Sequence, residues 1–226
     1  MKYQASRAIA GPFLHSLWRP EITGSEYVPR TGGAILASNH LSIVDSLFLP
    51  LMLERPLTFA AKSEYFTGKR LSHRFAAAYL RATKQLSVDR AGARSAQETL
   101  EAALALLRQG DLFGIYPEGT RSPDGRLYRG RTGVGWLALA AGVPVVPVAM
   151  IGTDRVLPPG RSIPRLHKVS IRVGPPLTFE AYRDRKPVAQ ARREITDEVM
   201  KAIQILSGQE YMPVYASVRK AELGHG

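Results

Sequence analysis

His40 and Asp45 are the first residues in the chain whose types and spacing can do chemistry together. An imidazole serves as a general base near neutral pH, and a carboxylate on one ring nitrogen leaves the other free. Five helical steps turn through about 500°, roughly 140° net, so the pair cannot share one face of a helix. The side chains meet if His40 lies in a loop and Asp45 in the first turn of the next helix. Ser42 fits that arrangement, because Ser42-x-x-Asp45 approximates a helix-start signature in which the acid points back to the loop. Alone the pair is a weak signal, since the spacing arises by chance and a lone histidine near a strand end is more often structural.

A second group, Glu118-Gly119-Thr120-Arg121, follows the apolar run from Leu112 to Tyr116 much as His40 follows Ala34 to Ser38. Loops that leave the strands of an open α/β sheet gather at one edge and form the site there. Gly119 permits a tight turn between its charged neighbours, and Arg121 offers a planar fork suited to a phosphate. Arg90, after the short run Leu86 to Val88, is a candidate second cation. Either arginine alone reads as a solvated surface charge; together with a base and an acid they point to an anionic substrate.

Several other chemistries lack support. The chain has no cysteine, so disulfides, cysteine nucleophiles and thiolate metal sites are excluded. No Gly-x-Ser-x-Gly occurs, and His15, His73, His167 and His225 are scattered, so neither a serine elbow nor a metal site is expected. The glycine-rich run from Gly130 to Gly135 lacks the Gly-Lys-Ser/Thr ending of a phosphate loop and reads as turn and helix packing.

The elements that must position these groups alternate. Glu21 to Val28 reads as an edge strand and turn, Ala34 to Ser38 as a buried strand, and the helix after Asp45 as a short one limited by Pro50. Strands are expected at Leu57 to Ala61, Leu86 to Val88, Leu112 to Tyr116, Val143 to Ile151 and Val169 to Val173. Pro144 and Pro147 limit ladder pairing in the fourth of these. Helices are expected from Gly92 to about Gly110, around Gly135 to Ala141, and from Val188 to Leu206. This alternation predicts one α/β domain, a central mostly parallel or mixed sheet flanked by helices, over residues 21–206. Residues 1–20 form an amphipathic segment, either packed on the domain or lying in a membrane interface, and Pro12 is expected to break or kink it. Residues 207–226 have mixed polarity and little pattern.

Charge narrows the partners. The 226 residues carry a formal net charge of +12, which implies nucleic acid, a membrane surface or phosphorylated substrates. The stretches Tyr65 to Val88 and Arg155 to Arg172 each hold basic residues and no acid. No nucleic-acid motif appears and the basic residues are dispersed, so nucleic acid is not the expected partner. No secretory signal or membrane-spanning segment is evident. Peripheral attachment to the cytoplasmic side of the cell membrane is the expectation.

The ordered set Asn39-His40-x4-Asp45, Val88-Asp89-Arg90, Tyr116-Pro117-Glu118-Gly119-Thr120-Arg121-Ser122 and Val143-Pro144-Val145-Val146-Pro147 resembles the four blocks of the glycerolipid acyltransferases. The likeness spans roughly residues 21 to 176 and is nearest to the 1-acyl-sn-glycerol-3-phosphate acyltransferases, which make phosphatidic acid from lysophosphatidic acid. It implies a glycerol-3-phosphate acyltransferase-like α/β domain, acyl-CoA or acyl carrier protein as donor, and no metal or organic cofactor. It also implies roles: His40 as general base, Asp45 as its orienter, Arg90 and Arg121 on the acceptor phosphate, and Glu118, with Gly119 and Thr120, positioning the acceptor or the loop. Pro144 and Pro147 would shape an apolar surface for acyl chains. The chain departs from the family at Lys84 and Ser87, where a Gly and a Pro are usual, and at Tyr116, where Phe is common. Another lipid or glycolipid acceptor, or a basic non-enzymatic binding module, is the alternative.

Overall fold

In a computed structural model the protein is described over residues 2–62, 85–88, 93–158, 161, 163–185 and 187–224. The fold is built on β2 (Ala34–Ser38), whose five residues are all buried. Such a strand has no solvated face, and its side chains divide between two cores. Leu36 joins one hydrophobic cluster, while Ile35 and Ala37 join the other. That is the pattern of a parallel strand covered by helices on both sides.

Around β2 lie β1 (Glu21–Thr23), β3 (Leu57–Lys62), β4 (Leu86–Val88), β5 (Leu112–Ile115), β7 (Val145–Ile151) and β8 (Ser170–Val173). The sheet order is β1-β8-β7-β2-β5-β3-β4. Only β7 and β8 pair antiparallel, so β7, β2, β5, β3 and β4 all run the same way and end at one edge. Pro147 has no N–H to donate, and the register accommodates it: the β8 ladder begins at Val148, and Val145 makes a separate bridge to Leu177.

One face of the sheet is covered by α1 (Lys2–Trp18) and α2 (Asp45–Met52). The helix α1 continues through Pro12, so the proline does not end it. Its attachment to the domain is clear: Leu14 is buried, the Tyr3 hydroxyl donates to the Pro50 carbonyl, and Trp18 meets Phe48 edge to face. Pro50 lies inside α2 and two residues from its end. The other face is covered by α3 (Ala93–Arg108), α4 (Gly133–Ala141) and α6 (Val188–Ser207), while the single-turn α5 (Thr153–Val156) after β7 places Val156 in the first core.

The structure bears out the packing role of the glycine-rich run. A Cβ on Gly135 would lie 2.3 Å from the backbone oxygen of Arg192, so only glycine lets α4 and α6 approach this closely. Residues 207–224 hold more order than their sequence suggests. Within them β9 (Tyr211–Met212) pairs with β6 (Leu127–Tyr128), and α7 (Ala216–Glu222) follows.

Gly135→Ala is expected to destabilise the protein by about 1–3 kcal/mol, since neither backbone can yield cheaply. Thermal unfolding followed by circular dichroism should show a melting temperature several degrees lower. An unchanged melting temperature would mean that the helices are not in this contact.

Candidate active site

The parallel strands deliver their outgoing loops to one edge, and the reactive residues sit there. Asp45 is the first residue of α2, and its side chain turns back toward the loop that leaves β2. Its Oδ2 lies 2.9 Å from His40 Nδ1 and also accepts from the backbone N–H groups of Leu41 at 2.8 Å and Ser42 at 2.9 Å. Asp45 is fully buried and the His40 side chain is 16% exposed. With Nδ1 donating to a carboxylate, Nε2 is the free acceptor, and it has no partner among the described residues. The acid half of the Ser42-x-x-Asp45 helix start is present in the Ser42 N–H bond to Asp45, while the Ser42 hydroxyl donates to the Leu157 carbonyl at 2.8 Å and Asp45 N donates to the Ser42 carbonyl instead.

The imidazole plane is fixed by aromatic contact. The Tyr116 ring stacks on His40 with centroids 3.9 Å apart and planes at 9°, and Phe59 stacks behind Tyr116 at 4.9 Å. Gly114 makes room for that column, since a Cβ there would come within 2.4 Å of the Phe59 ring. The Tyr116 hydroxyl, which the more usual Phe would lack, lies 2.9 Å from Ser46 Oγ and so ties the β5 loop to α2. Beside the column runs an apolar cleft lined by Phe59, Ala60, Leu100, Phe113 and Ile115, with His40 at its end.

Glu118 is buried, and both of its oxygens are taken by backbone. Oε1 accepts from His40 N at 3.1 Å and Oε2 from Tyr128 N at 2.9 Å. Burial pushes its carboxyl up to about 7, against the lowering effect of those two hydrogen bonds; the nearby Asp45 charge adds to the rise. A return bond from Ser122 N to the His40 carbonyl at 2.7 Å completes the tie between the two loops. Of the two roles expected for Glu118, the geometry carries loop positioning. Gly119 has φ +74°, as a tight turn between Glu118 and Arg121 requires. Arg121 is half-buried next to these groups and, among the described residues, faces no carboxylate at ion-pair distance.

Two expected site residues are not brought here. Pro144 precedes β7 at the edge opposite His40, since Val145 is aligned with Ile35, and Pro147 is buried within the sheet beside Ala37. The apolar surface next to His40 is the Phe59–Leu100 cleft instead. Arg90 and the basic stretch 63–84 lie outside the described residues.

Residues 19–151 match the family model described as Acyltransferase. The chain belongs to the acyltransferase family. It is 28% identical over 148 residues to a chloroplastic 1-acyl-sn-glycerol-3-phosphate acyltransferase of Brassica napus, a span of 65% of this chain and 41% of that one. A 1-acyl-sn-glycerol-3-phosphate acyltransferase of Borreliella burgdorferi is 30% identical over 143 residues, 62% of this chain and 55% of its own. The chain thus spans about half the length of the curated relatives it matches. The crystal structure of the 1-acyl-sn-glycerophosphate acyltransferase PlsC from Thermotoga maritima superposes with a TM-score of 0.68 at 26% identity, covering 90% of this chain and 79% of that one.

Sequence reasoning missed several residues that build this candidate site. Asn39 was visible only as a polar neighbour of His40. In the fold it brackets β7, donating to the Met150 carbonyl at 3.0 Å and accepting from Met150 N at 2.7 Å, and it reaches Gln209 at 2.7 Å. Gln209 and Lys220 come from the stretch with little pattern, and Lys220 Nζ lies 2.6 Å from Thr120 Oγ1. No local signal announces such pairings across 100 residues or more.

The raised Glu118 carboxyl carries a pH signature. The folded protein holds that proton to higher pH than the unfolded chain, so its contribution to stability is full below about 4.5 and is lost as pH rises through about 7. The whole effect is on the order of 3 kcal/mol. Replacing Glu118 by Gln removes it, so the melting temperature of the variant relative to wild type should climb between pH 4.5 and pH 8. A pH-independent difference would refute the assignment.

Proposed function

We propose that the protein transfers a fatty acyl group from an acyl thioester, acyl-CoA or acyl carrier protein, to the free hydroxyl of 1-acyl-sn-glycerol 3-phosphate, forming phosphatidic acid. The observation that carries this reading is a histidine oriented by a buried carboxylate, with its outer nitrogen free, bonded through its backbone to the loop that bears Arg121. The names of its relatives point to the same acceptor.

The chemistry follows from the groups present. His40 Nε2 takes the proton of the acceptor hydroxyl as its oxygen attacks the thioester carbonyl. The tetrahedral adduct collapses, the carbon–sulfur bond breaks, and the imidazolium returns its proton to the departing thiolate. Asp45 supports the charged intermediate. Its Oδ1 is buried with no hydrogen-bond partner, so a positive ring at His40 relieves a carboxylate that is short of donors. Transfer is direct, as the chain has no cysteine and no serine in the setting of an activated nucleophile. Arg121 binds the acceptor phosphate and the Phe59–Leu100 cleft receives an acyl chain.

The acceptor and donor are membrane lipids or their precursors, and the surface suits an anionic bilayer. Phe13 on α1 is 61% exposed, and Ile163 and Leu166 on the loop after α5 are 80% and 72% exposed. Trp18 joins these segments through its bond to the Arg165 carbonyl at 2.8 Å. Arg155, Arg161, Arg165 and Lys168, all exposed, flank Ile163 and Leu166 along the chain. Among the described residues no helix is long and apolar enough to cross a membrane.

His40→Ala should lower the rate of thiol release from acyl-CoA with lysophosphatidic acid by at least about 10²-fold while acceptor binding survives. Full activity in that variant would sink the mechanism. Sedimentation with anionic vesicles at low salt should carry the protein into the pellet, and Ile163→Asp with Leu166→Asp should release it; equal recovery of both in the supernatant would refute the membrane face.

A further inference from the structure

The last helix places a cation on the phosphate-binding loop. Lys220 lies on α7, and its ammonium donates to Thr120 Oγ1 at 2.6 Å, between Gly119 and Arg121. It is half-buried, and only one of its three donors is used in that bond. Among the described residues no carboxylate stands within ion-pair distance of Lys220 or of Arg121. Glu118, whose charge acts on Lys220, gives both oxygens to backbone N–H groups. Lys220 and Arg121 are both half-buried and near enough for their charges to repel, and an anion between them removes that cost.

The placement of α7 is built from several independent contacts. β9 pairs with β6, and Arg129 N donates to the Val214 carbonyl at 3.0 Å. The Tyr215 ring sits under two guanidinium groups, Arg131 at 5.2 Å and Arg129 at 5.6 Å from its centre. Ala216 is fully buried. The Arg131 side chain itself lies over Gly119, whose missing Cβ gives it room, and reaches Ser217 Oγ at 3.3 Å. This anchoring fixes where the ammonium stands.

We propose that Lys220 is a specificity-determining ligand for the phosphate of the acceptor, closing on it from α7 opposite Arg121. The inference rests on the reading of the acceptor as a phosphorylated lipid. Burial, and after it the charge of Arg121, already holds the Lys220 ammonium below its ordinary range, as expected of a cation whose counter-ion is the substrate. The geometry also connects recognition to reaction: Thr120 and Arg121 belong to the loop that Ser122 bonds to His40, so a phosphate gripped there brings the adjacent glycerol hydroxyl toward the base.

The test compares wild type with Lys220→Met and Lys220→Arg, using acyl-CoA with lysophosphatidic acid or with uncharged monoacylglycerol. Losing a charge-assisted hydrogen bond should raise the KM for lysophosphatidic acid about 10-fold or more, leave the KM for acyl-CoA in place, and lower the preference for lysophosphatidic acid over monoacylglycerol by a similar factor. Lys220→Arg should recover most of that preference. If Lys220 is only a tether for α7, Met will lower the melting temperature and depress both acceptors equally, which overturns the proposal. Calorimetric binding of glycerol 3-phosphate to the same three proteins separates the two readings. A wild type that binds it, with binding lost in Met and kept in Arg, supports the ligand role even if monoacylglycerol proves the better acceptor and the proposed function falls. Equal binding to all three refutes the ligand role while leaving the proposed function standing.

Discussion

One oxygen atom, Oδ2 of Asp45, accepts from the His40 ring and from two successive backbone N–H groups. The carboxylate is fully buried, and burying a charge is tolerable only when donors are already aimed at it. The loop after β2 supplies them. Its backbone therefore wraps the carboxylate, and the imidazole has one orientation in which it completes the set. Moving Asp45 would not merely loosen His40; it would leave two loop N–H groups unpaired in a dry interior.

The second constraint is the sheet edge. His40 leaves β2 and Glu118 leaves β5, which are hydrogen-bonded neighbours running parallel. Parallel pairing puts both loops on one side, and Glu118 locks them by holding the backbone of His40 from the neighbouring strand's exit. A carboxyl raised to about 7 by burial is the result of using an acid where a neutral acceptor would carry less desolvation cost. The stacked column of Phe59, Tyr116 and His40 spans three adjacent strands, β3, β5 and β2, and orients the ring from its face while Asp45 holds its edge.

The chain's last described segment belongs to the site as much as the first motif does. Gln209 bonds Asn39 next to His40, and Lys220 bonds Thr120 next to Arg121. Both contacts depend on α6 ending at Gly208, where a left-handed turn at φ +71° redirects the chain toward β6. Four arginines of this region divide into two kinds. Arg126 and Arg219 pair with Asp124 and Glu222, whereas Arg129 and Arg131 rest on Tyr215. A net charge of +12 does not distinguish them.

Much of the architecture was legible because it is written in local patterns. An apolar run such as Ala34 to Ala37 reads as a covered strand, and the three- and four-residue steps of Leu100, Ala103, Leu104 and Leu107 read as one face of a helix. The four ordered blocks brought His40, Asp45, Glu118 and Arg121 to notice for the same reason: each is a short motif tied to a strand end. The sequence by itself thus determined the α/β class, the pairing of His40 with Asp45, and the loop that accompanies them. What only the tertiary structure decided are the contacts between distant segments. It assigned Glu118 to the backbone of His40, stacked Tyr116 on the imidazole, set Pro144 and Pro147 away from the site, and carried Lys220 to Thr120. These depend on strand order and on which chain segments cross, and strand order comes from the summed packing of two cores, which no local spacing records.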